Sequence, residues 1–136
     1  MKKFLIFAVV FVVLIGAVFW RRPVVDIGEG DFRVTLSIYN VLPPTSVAAN
    51  DGDSVFDVLL RETRRGGIHM EFRNTPGLQS AYVMGIDNLY EFDEGPLSGW
   101  MFRVNGEIPN VGASLHILQP DDVVEWLFTR DLGRDL

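Results

Sequence analysis

Two histidines and their neighbouring carboxylates are the residues to weigh first for catalysis. His69 and Glu71 are two residues apart in a strand-like stretch, which places them on one face as a surface pair, and His116 has no marked partner. The sequence contains no G-x-S-x-G elbow, no H-E-x-x-H motif and no cysteine, so it lacks the usual marks of serine, zinc and cysteine hydrolases. We therefore predict no catalytic residues and no enzyme activity.

The spacing of the acids in Asp51–Asp57 is partly similar to that of a calcium-binding loop. This stretch lacks the third early ligand and the distant bidentate glutamate of such loops. Its acids are better explained as turn and capping residues of a helix that follows, with Asp53 or Ser54 as the cap. The sequence therefore predicts no metal site and no cofactor.

Aromatic side chains offer the most plausible binding chemistry. An exposed tryptophan is a good platform for a flat ligand or for a partner's apolar surface, although Trp100 and Trp126 both lie at strand positions where core packing is an alternative explanation. Core packing is favoured for Trp126. Trp100 follows a loop that contains Gly95, Pro96 and Gly99, and we expect it to form an aromatic edge. The candidate ligand-binding residues are Trp100, Tyr90, Phe92, Phe102 and Asn105.

A strand pair and one helix open the part of the chain that must position these residues. Phe32–Asn40 alternates apolar and polar residues, which predicts a half-buried strand. Pro43 and Pro44 are expected to break it, and Thr45–Ala49 to form a second short strand. The apolar stripe of Val55–Arg65 predicts a helix, which Gly66-Gly67 ends. Further strands are predicted at Ile68–Phe72, Trp100–Val104, Leu115–Leu118 and Val123–Phe128, with a tight turn at Asn105-Gly106. Ala81–Leu89 also carries a strand, which Gly85 interrupts or ends, and Asp87-Asn88 suits a turn.

This order of elements predicts an α+β fold. The expected architecture is a β-grasp-like mixed sheet packed on a single helix, which about 100 residues can build around one core. A small sandwich is the competing fold. The lone, well-capped helix near the middle argues against it.

The N-terminus predicts a transmembrane helix. Phe4–Trp20 is 17 residues without a charge, between Lys2-Lys3 and Arg21-Arg22, and as a helix it would span roughly 25 Å. A retained signal anchor is favoured over a cleaved signal because Ile15-Gly16-Ala17 is a poor cleavage site. We expect a signal anchor at 1–22, a linker at 23–31 and an extracytoplasmic domain at 32–136, held at the cell membrane by a single pass.

The net charge of the chain limits which partners it can bind. All 18 acidic residues lie beyond residue 23 together with 8 of the 12 basic ones, so this part carries a formal charge of −10. Such a surface repels phosphate backbones, and nucleic acid is not an expected partner. Solubility explains the charge, and a preference for cationic partners is the alternative.

Three segments resemble the C-terminal domain of transcobalamin and intrinsic factor, which recurs in bacterial surface proteins as a domain of unknown function. Ser98–Glu107 is similar to the family's S-G-W-M-Y-x-V-N-G-E core, Asp51–Leu59 to its helix-opening segment, and Tyr82–Leu89 to the strand before its turn. In transcobalamin this domain closes over one face of cobalamin while a helical-barrel domain supplies the other. These 136 residues hold no counterpart of the barrel, which argues against high-affinity cobalamin binding. The wider group of similar β-grasp domains is associated with soluble-ligand binding, so the resemblance implies a small soluble ligand, corrinoid-like or otherwise.

The prediction for function is a membrane-anchored, extracytoplasmic binding module. Its ligand would be a small soluble molecule, with cobalamin or a related corrinoid implied by the resemblance alone. The alternative is a protein–protein interaction or surface-display role with another protein of the cell envelope. A concave pocket beside Trp100 would favour the first, and a flat surface with an unpaired edge strand the second.

Overall fold

The computed structural model describes residues 30–77 and 79–136. In these ranges the chain forms seven strands and one helix, and the predicted α+β class is confirmed. The predicted anchor at 1–22 and most of the predicted linker lie outside the described residues. Within the described residues, no helix is long and apolar enough to cross a membrane. The elements are β1 Phe32–Ile38, β2 Leu42–Ala49, α1 Val55–Arg65, β3 Met70–Thr75, β4 Ser80–Ile86, β5 Leu89–Tyr90, β6 Gly99–Val104 and β7 Val123–Thr129.

The strands form two sheets rather than the one that the sequence predicted. The first is a four-stranded mixed sheet in the order β2-β1-β7-β6, with β1 and β7 parallel at its centre. The second is a three-stranded antiparallel sheet in the order β3-β4-β5. The mixed sheet and the single helix were predicted correctly. The separate second sheet was not predicted. The two sheets are separate because β4 lies near β6 without hydrogen-bonding to it.

The core lies between the first sheet and the helix. Val34, Leu36 and Ile38 of β1 are each at most 2% exposed, which confirms the predicted alternation. Leu36 pairs with Val124 and Ile38 with Trp126 across the central parallel strands. The buried face of the helix, formed by Val55, Val58 and Leu59, belongs to the same apolar cluster.

Helix α1 begins with a capping box at Ser54. The Ser54 hydroxyl accepts a hydrogen bond from the Asp57 backbone N–H (3.2 Å), and the Asp57 carboxylate accepts one from the Ser54 N–H (2.8 Å). These bonds satisfy two backbone donors that the first turn of a helix otherwise leaves without partners. Of the two predicted caps, Ser54 is therefore the one used, and Gly66 ends the helix as predicted.

Replacing Ser54 with alanine is expected to lower the free energy of unfolding by about 1 kcal/mol, because the backbone N–H of Asp57 loses its acceptor. Urea denaturation of the full chain measures this loss. Ser37→Ala is the control, since Ser37 makes no side-chain hydrogen bond within the described residues and should change stability by less than about 0.5 kcal/mol. Equal losses in the two variants would show that the cap does not stabilise the helix.

Two sequence predictions about strands were wrong. Strand β2 begins at Leu42 and includes Pro43 and Pro44, which a strand tolerates here because β2 lies at the sheet edge and its register with β1 shifts at this point. Residues 115–118 form no strand and make only one isolated bridge, between Ile117 and Ser54. Leu115 and Ile117 are nearly half exposed, so their hydrophobicity does not reflect burial in a sheet.

The Asn105-Gly106 turn has the predicted geometry. Both residues have positive φ, 53° and 84°, as a tight two-residue turn requires. The backbones of Val104 and Glu107 exchange two hydrogen bonds across the turn, at 2.9 and 3.1 Å. The chain then leaves the sheet, and residues 108–122 cross over the end of the domain before β7 begins.

Candidate functional site

An open groove of about 660 Å³ lies beside the Asn105-Gly106 turn. The turn forms one side and the crossing segment that follows it forms the other. Apolar and polar side chains share the lining, so a small molecule could make both apolar contacts and hydrogen bonds there. The lining residues are Val104, Asn105, Glu107, Ile108, Pro109, Asn110, His116, Ile117, Gln119 and Asp122.

Asp122 joins the two sides of the groove. Its carboxylate is 8% exposed and accepts hydrogen bonds from Asn105 Nδ2 (2.9 Å) and from the Gln119 backbone N–H (2.8 Å). The Asn105 side chain in turn accepts a hydrogen bond from the Val123 backbone N–H (2.9 Å). Both ends of the Asn105 amide therefore hold the turn in place, which makes this rim of the groove preorganised.

The opposite wall is bonded to the helix and to the second sheet. The carbonyls of His116 and Ala113 accept hydrogen bonds from the first helical N–H groups, those of Val55 (3.0 Å) and Phe56 (3.1 Å). The Ser114 hydroxyl accepts one from the backbone N–H of Ala81 in β4 (3.0 Å). Residues 112–117 thus have no regular secondary structure of their own but are fixed by the elements around them.

The charge of the groove restricts what it can bind. Its described lining contains two carboxylates, Glu107 and Asp122, and neither lysine nor arginine. A phosphate or carboxylate would find no cationic partner there and would be repelled by the carboxylates. The groove therefore suits a neutral or cationic ligand with both apolar surface and hydrogen-bonding groups.

Trp100 is not an exposed platform. Its side chain is 6% exposed, its indole N–H donates a hydrogen bond to the Leu89 carbonyl (2.8 Å), and its ring packs edge-on against Phe128 at 5.4 Å. The prediction of an aromatic edge led by Trp100 is wrong for this residue, because its strand position faces the core. Trp126, at 2% exposed, is buried as favoured.

The other four predicted residues fall into two groups at opposite ends of β6. Asn105 lines the groove, and the Phe102 ring meets the His116 ring of the groove at 6.4 Å. Tyr90 and Phe92 lie before β6; Phe92 is 62% exposed, and Tyr90 donates a hydrogen bond to Glu71 (2.9 Å). The structure does not bring the two groups together, and ligand contact by any of the four stays a prediction.

Sequence reasoning missed most of the groove. His116 is a candidate only for catalysis and Ile117 lies in the predicted strand 115–118, while Ile108 and Asn110 belong to no predicted element or site. The sequence favours a strand here instead, because apolar residues alternate with glycine or polar residues over 111–117. No signal in the sequence therefore indicates a groove wall.

The acids of the calcium-like stretch have structural roles. Asp53 forms an ion pair with Arg61 (2.8 Å) and accepts a hydrogen bond from the Asn50 N–H (2.8 Å), while Asp57 completes the capping box. In residues 30–77 and 79–136, no three histidine, aspartate or glutamate side chains are grouped as metal ligands.

Tyr82 has a strongly perturbed phenol on the second sheet. Burial and a 2.5 Å hydrogen bond from its hydroxyl to Glu91 raise the pKa of Tyr82 to about 12. A folded-state pKa above the unfolded value of 10.0 contributes stability that is fully present below pH 10 and is lost as the pH rises towards 12. Tyr82→Phe is therefore expected to flatten the fall in unfolding free energy over this range, as measured by urea denaturation. Identical slopes for the two proteins would contradict the assigned pKa.

Comparison with known proteins shows the fold. No curated protein matches this chain. Haptocorrin in complex with Cbi is similar with a TM-score of 0.56 and 20% sequence identity over 71% of this chain, which spans only 25% of the haptocorrin chain. A Ruminococcus gnavus ATCC 29149 protein described as a "putative metal binding protein" is similar with a TM-score of 0.52 and 15% identity, over 72% of this chain and 96% of its own.

These likenesses support the transcobalamin-like fold that the Ser98–Glu107 segment predicted, and at such low identity they show the fold alone. The family model described as a domain of unknown function, DUF4430, matches residues 52–130. This range includes the helix, the second sheet, the groove and all of β7 but none of β1. Because the match covers more than half of the 136 residues, the chain belongs to the DUF4430 family.

Proposed function

We propose that this chain is a binding module that takes a small, neutral or cationic ligand in the groove beside the Asn105-Gly106 turn. The observation that carries the proposal is a preorganised, mixed apolar and polar groove without cationic side chains in its described lining. The fold likeness to haptocorrin, solved in complex with Cbi, supports a corrinoid as the first ligand class to try. No enzyme activity is proposed.

The location of the module is part of the same proposal. If residues 1–22 act as a signal anchor, the groove faces the extracytoplasmic side of the membrane, where a small soluble ligand would be captured. The support is the uncharged run Phe4–Trp20 between pairs of basic residues. Protease protection of the full chain in membrane vesicles tests the orientation separately from ligand binding.

Thermal unfolding of the full chain with cobinamide, cobalamin or haem tests the groove. Cobinamide, which is cationic, is expected to raise the unfolding temperature, whereas haem with its two propionates is not. Ile117→Arg places a positive charge in the groove wall and is expected to weaken binding of the cationic cobinamide at least about tenfold. Leu97→Arg is the matched control: it introduces the same charge at an exposed leucine before β6, away from the groove.

Two outcomes would contradict the site. One is cobinamide binding that Ile117→Arg leaves unchanged. The other is equal weakening by both arginine variants. A chain whose unfolding temperature responds to neither corrinoid would contradict the proposed ligand class.

A second candidate function, binding of another protein, is supported by exposed apolar residues. Phe92 and Leu132 are each 62% exposed, and the Leu132 N–H donates a hydrogen bond to the carbonyl of the exposed Leu97. This apolar patch, formed by Phe92, Leu97 and Leu132, suits contact with another envelope protein. In that case Leu97→Arg would weaken capture of the partner protein while leaving cobinamide binding intact.

A further inference from the structure

Strand β3 is a six-residue sheet edge that the fold leaves open within the described residues. It pairs with β4 on one side only and contains no proline. Two other edges carry protection of the kinds that prevent edge-to-edge pairing, since β2 contains Pro43-Pro44 and β5 is only two residues long. Strand β6 is also an edge, and the outward N–H of Val104 at its end is bound to Glu107.

The backbone of β3 is regular. The irregularity in its pairing with β4 comes from an extra residue in β4, since Glu71 pairs with Gly85 while Phe72 pairs with Val83. Side chains therefore alternate along β3 as in an ordinary strand. Phe72 is half-buried and packs edge-on against Phe56 of the helix at 4.8 Å, whereas Glu71 and Arg73 are exposed on the opposite face.

These two charged residues have unused bonding capacity. Oε1 of Glu71 interacts with both His69 Nε2 (3.1 Å) and the Tyr90 hydroxyl (2.9 Å), while Oε2 has no partner among the described residues. The Arg73 guanidinium lies 5.0 Å from the centre of the Tyr82 ring and forms no ion pair in the described part of the chain. Both side chains lie towards β4 and β5 in the single chain. One carboxylate oxygen and the guanidinium nevertheless lack an ion-pair partner in the described residues, so each can turn to an opposite charge on a neighbouring strand.

We propose that two copies of this chain pair antiparallel through β3, with Phe72 at the centre of the pairing. In this register Glu71 of each copy lies directly opposite Arg73 of the other, with the Cβ atoms about 5 Å apart. The two-fold symmetry creates two such ion pairs. The three-stranded sheets of the two copies then join into one continuous sheet.

Charge favours this register over other contacts between copies. Residues 23–136 carry a formal charge of −10, so most faces of two copies repel each other. On β3 one acid and one base balance, and antiparallel pairing places each opposite its complement. The contact is small, so the association belongs to the weak, reversible class.

Sedimentation velocity of the full chain over a range of concentrations tests the pairing. Glu71→Arg and Arg73→Glu each place like charges opposite one another and are expected to weaken association at least about tenfold. The double variant E71R/R73E restores opposite charges and is expected to recover wild-type association. Arg64→Glu, which changes an exposed arginine of the helix, is the control for a change in net charge.

A cross-linking experiment tests the register independently of affinity. The chain has no cysteine, so Glu71→Cys and Arg73→Cys each introduce a single thiol. A mixture of the two variants is expected to form a disulfide-linked dimer on oxidation that neither variant forms alone in comparable yield. Thermal unfolding of every variant checks that it is folded.

Three results would overturn the proposal. A wild-type chain that stays monomeric throughout is the first. The second is a double variant that associates no better than the two charge reversals. The third is a cysteine mixture that cross-links no more than the separate variants. None of these measurements involves the groove, so they leave the proposed ligand binding to its own test.

Discussion

Replacing Leu59 with alanine is expected to lower the free energy of unfolding by about 3 kcal/mol, because it opens a cavity where the helix meets the first sheet. Leu59 is fully buried and belongs to the apolar cluster that includes Leu36 of β1. For a domain of about 100 residues, a loss of this size lowers the unfolding temperature by roughly 10–20 °C. Urea denaturation and thermal unfolding, both followed by circular dichroism, measure it.

Leu60→Ala is the matched control for the cavity. The substitution is the same and the position is the next residue of the helix, but Leu60 is only partly buried at the rim of the core. Both changes alter helix propensity equally, so a difference between them isolates packing. We expect Leu60→Ala to cost less than half as much, and equal costs would mean that the buried stripe of the helix is assigned wrongly.

Asp122→Asn is expected to be the most disruptive conservative substitution at the groove, lowering the free energy of unfolding by about 2 kcal/mol. Both carboxylate oxygens of Asp122 accept hydrogen bonds, one from the Asn105 side chain and one from the Gln119 backbone. An asparagine offers one oxygen and one amide group, so one donor would face another donor. Denaturation gives the energy, and the NMR shift of the Asn105 side-chain amide reports on the rim of the groove.

Asp121→Asn separates this effect from a general loss of charge. Asp121 is the adjacent carboxylate and is exposed, and its side chain makes no hydrogen bond within the described residues. Its φ of 67° is also well tolerated by asparagine. We expect a change below about 0.5 kcal/mol and no shift of the Asn105 amide. Similar losses at both positions would remove Asp122 from its role in joining the two sides of the groove.

Local patterns in the sequence predicted the elements whose energetics are local. The alternation of Val34, Leu36 and Ile38 identified β1, and Ser54 with Asp57 identified the start of the helix. The Asn105-Gly106 turn was equally predictable from the sequence because few residues adopt positive φ at low cost. Each of these features is encoded within a few consecutive residues.

The remaining features depend on partners distant in the chain. The parallel pairing of β1 with β7 joins segments almost 90 residues apart, and the sequence of neither strand indicates its partner. Residues 115–118 are strand-like in composition, but their carbonyls and side chains serve the helix and the groove instead. Trp100 shares its strand face with Val104. This face packs into the core, and the sequence of β6 alone does not indicate which face is buried.

The central position of β7 has a consequence for how the chain folds as it is synthesised. Strand β7, which joins β1 to β6, follows both of them in the chain, so the first sheet cannot close until residues up to 129 have emerged from the ribosome. Until then the β1–β2 hairpin and the second sheet can form, but the apolar face of β1 awaits its neighbour. Premature termination before Val123 would therefore leave a nascent chain with a permanently exposed, adhesive strand, which quality-control chaperones would be expected to recognise.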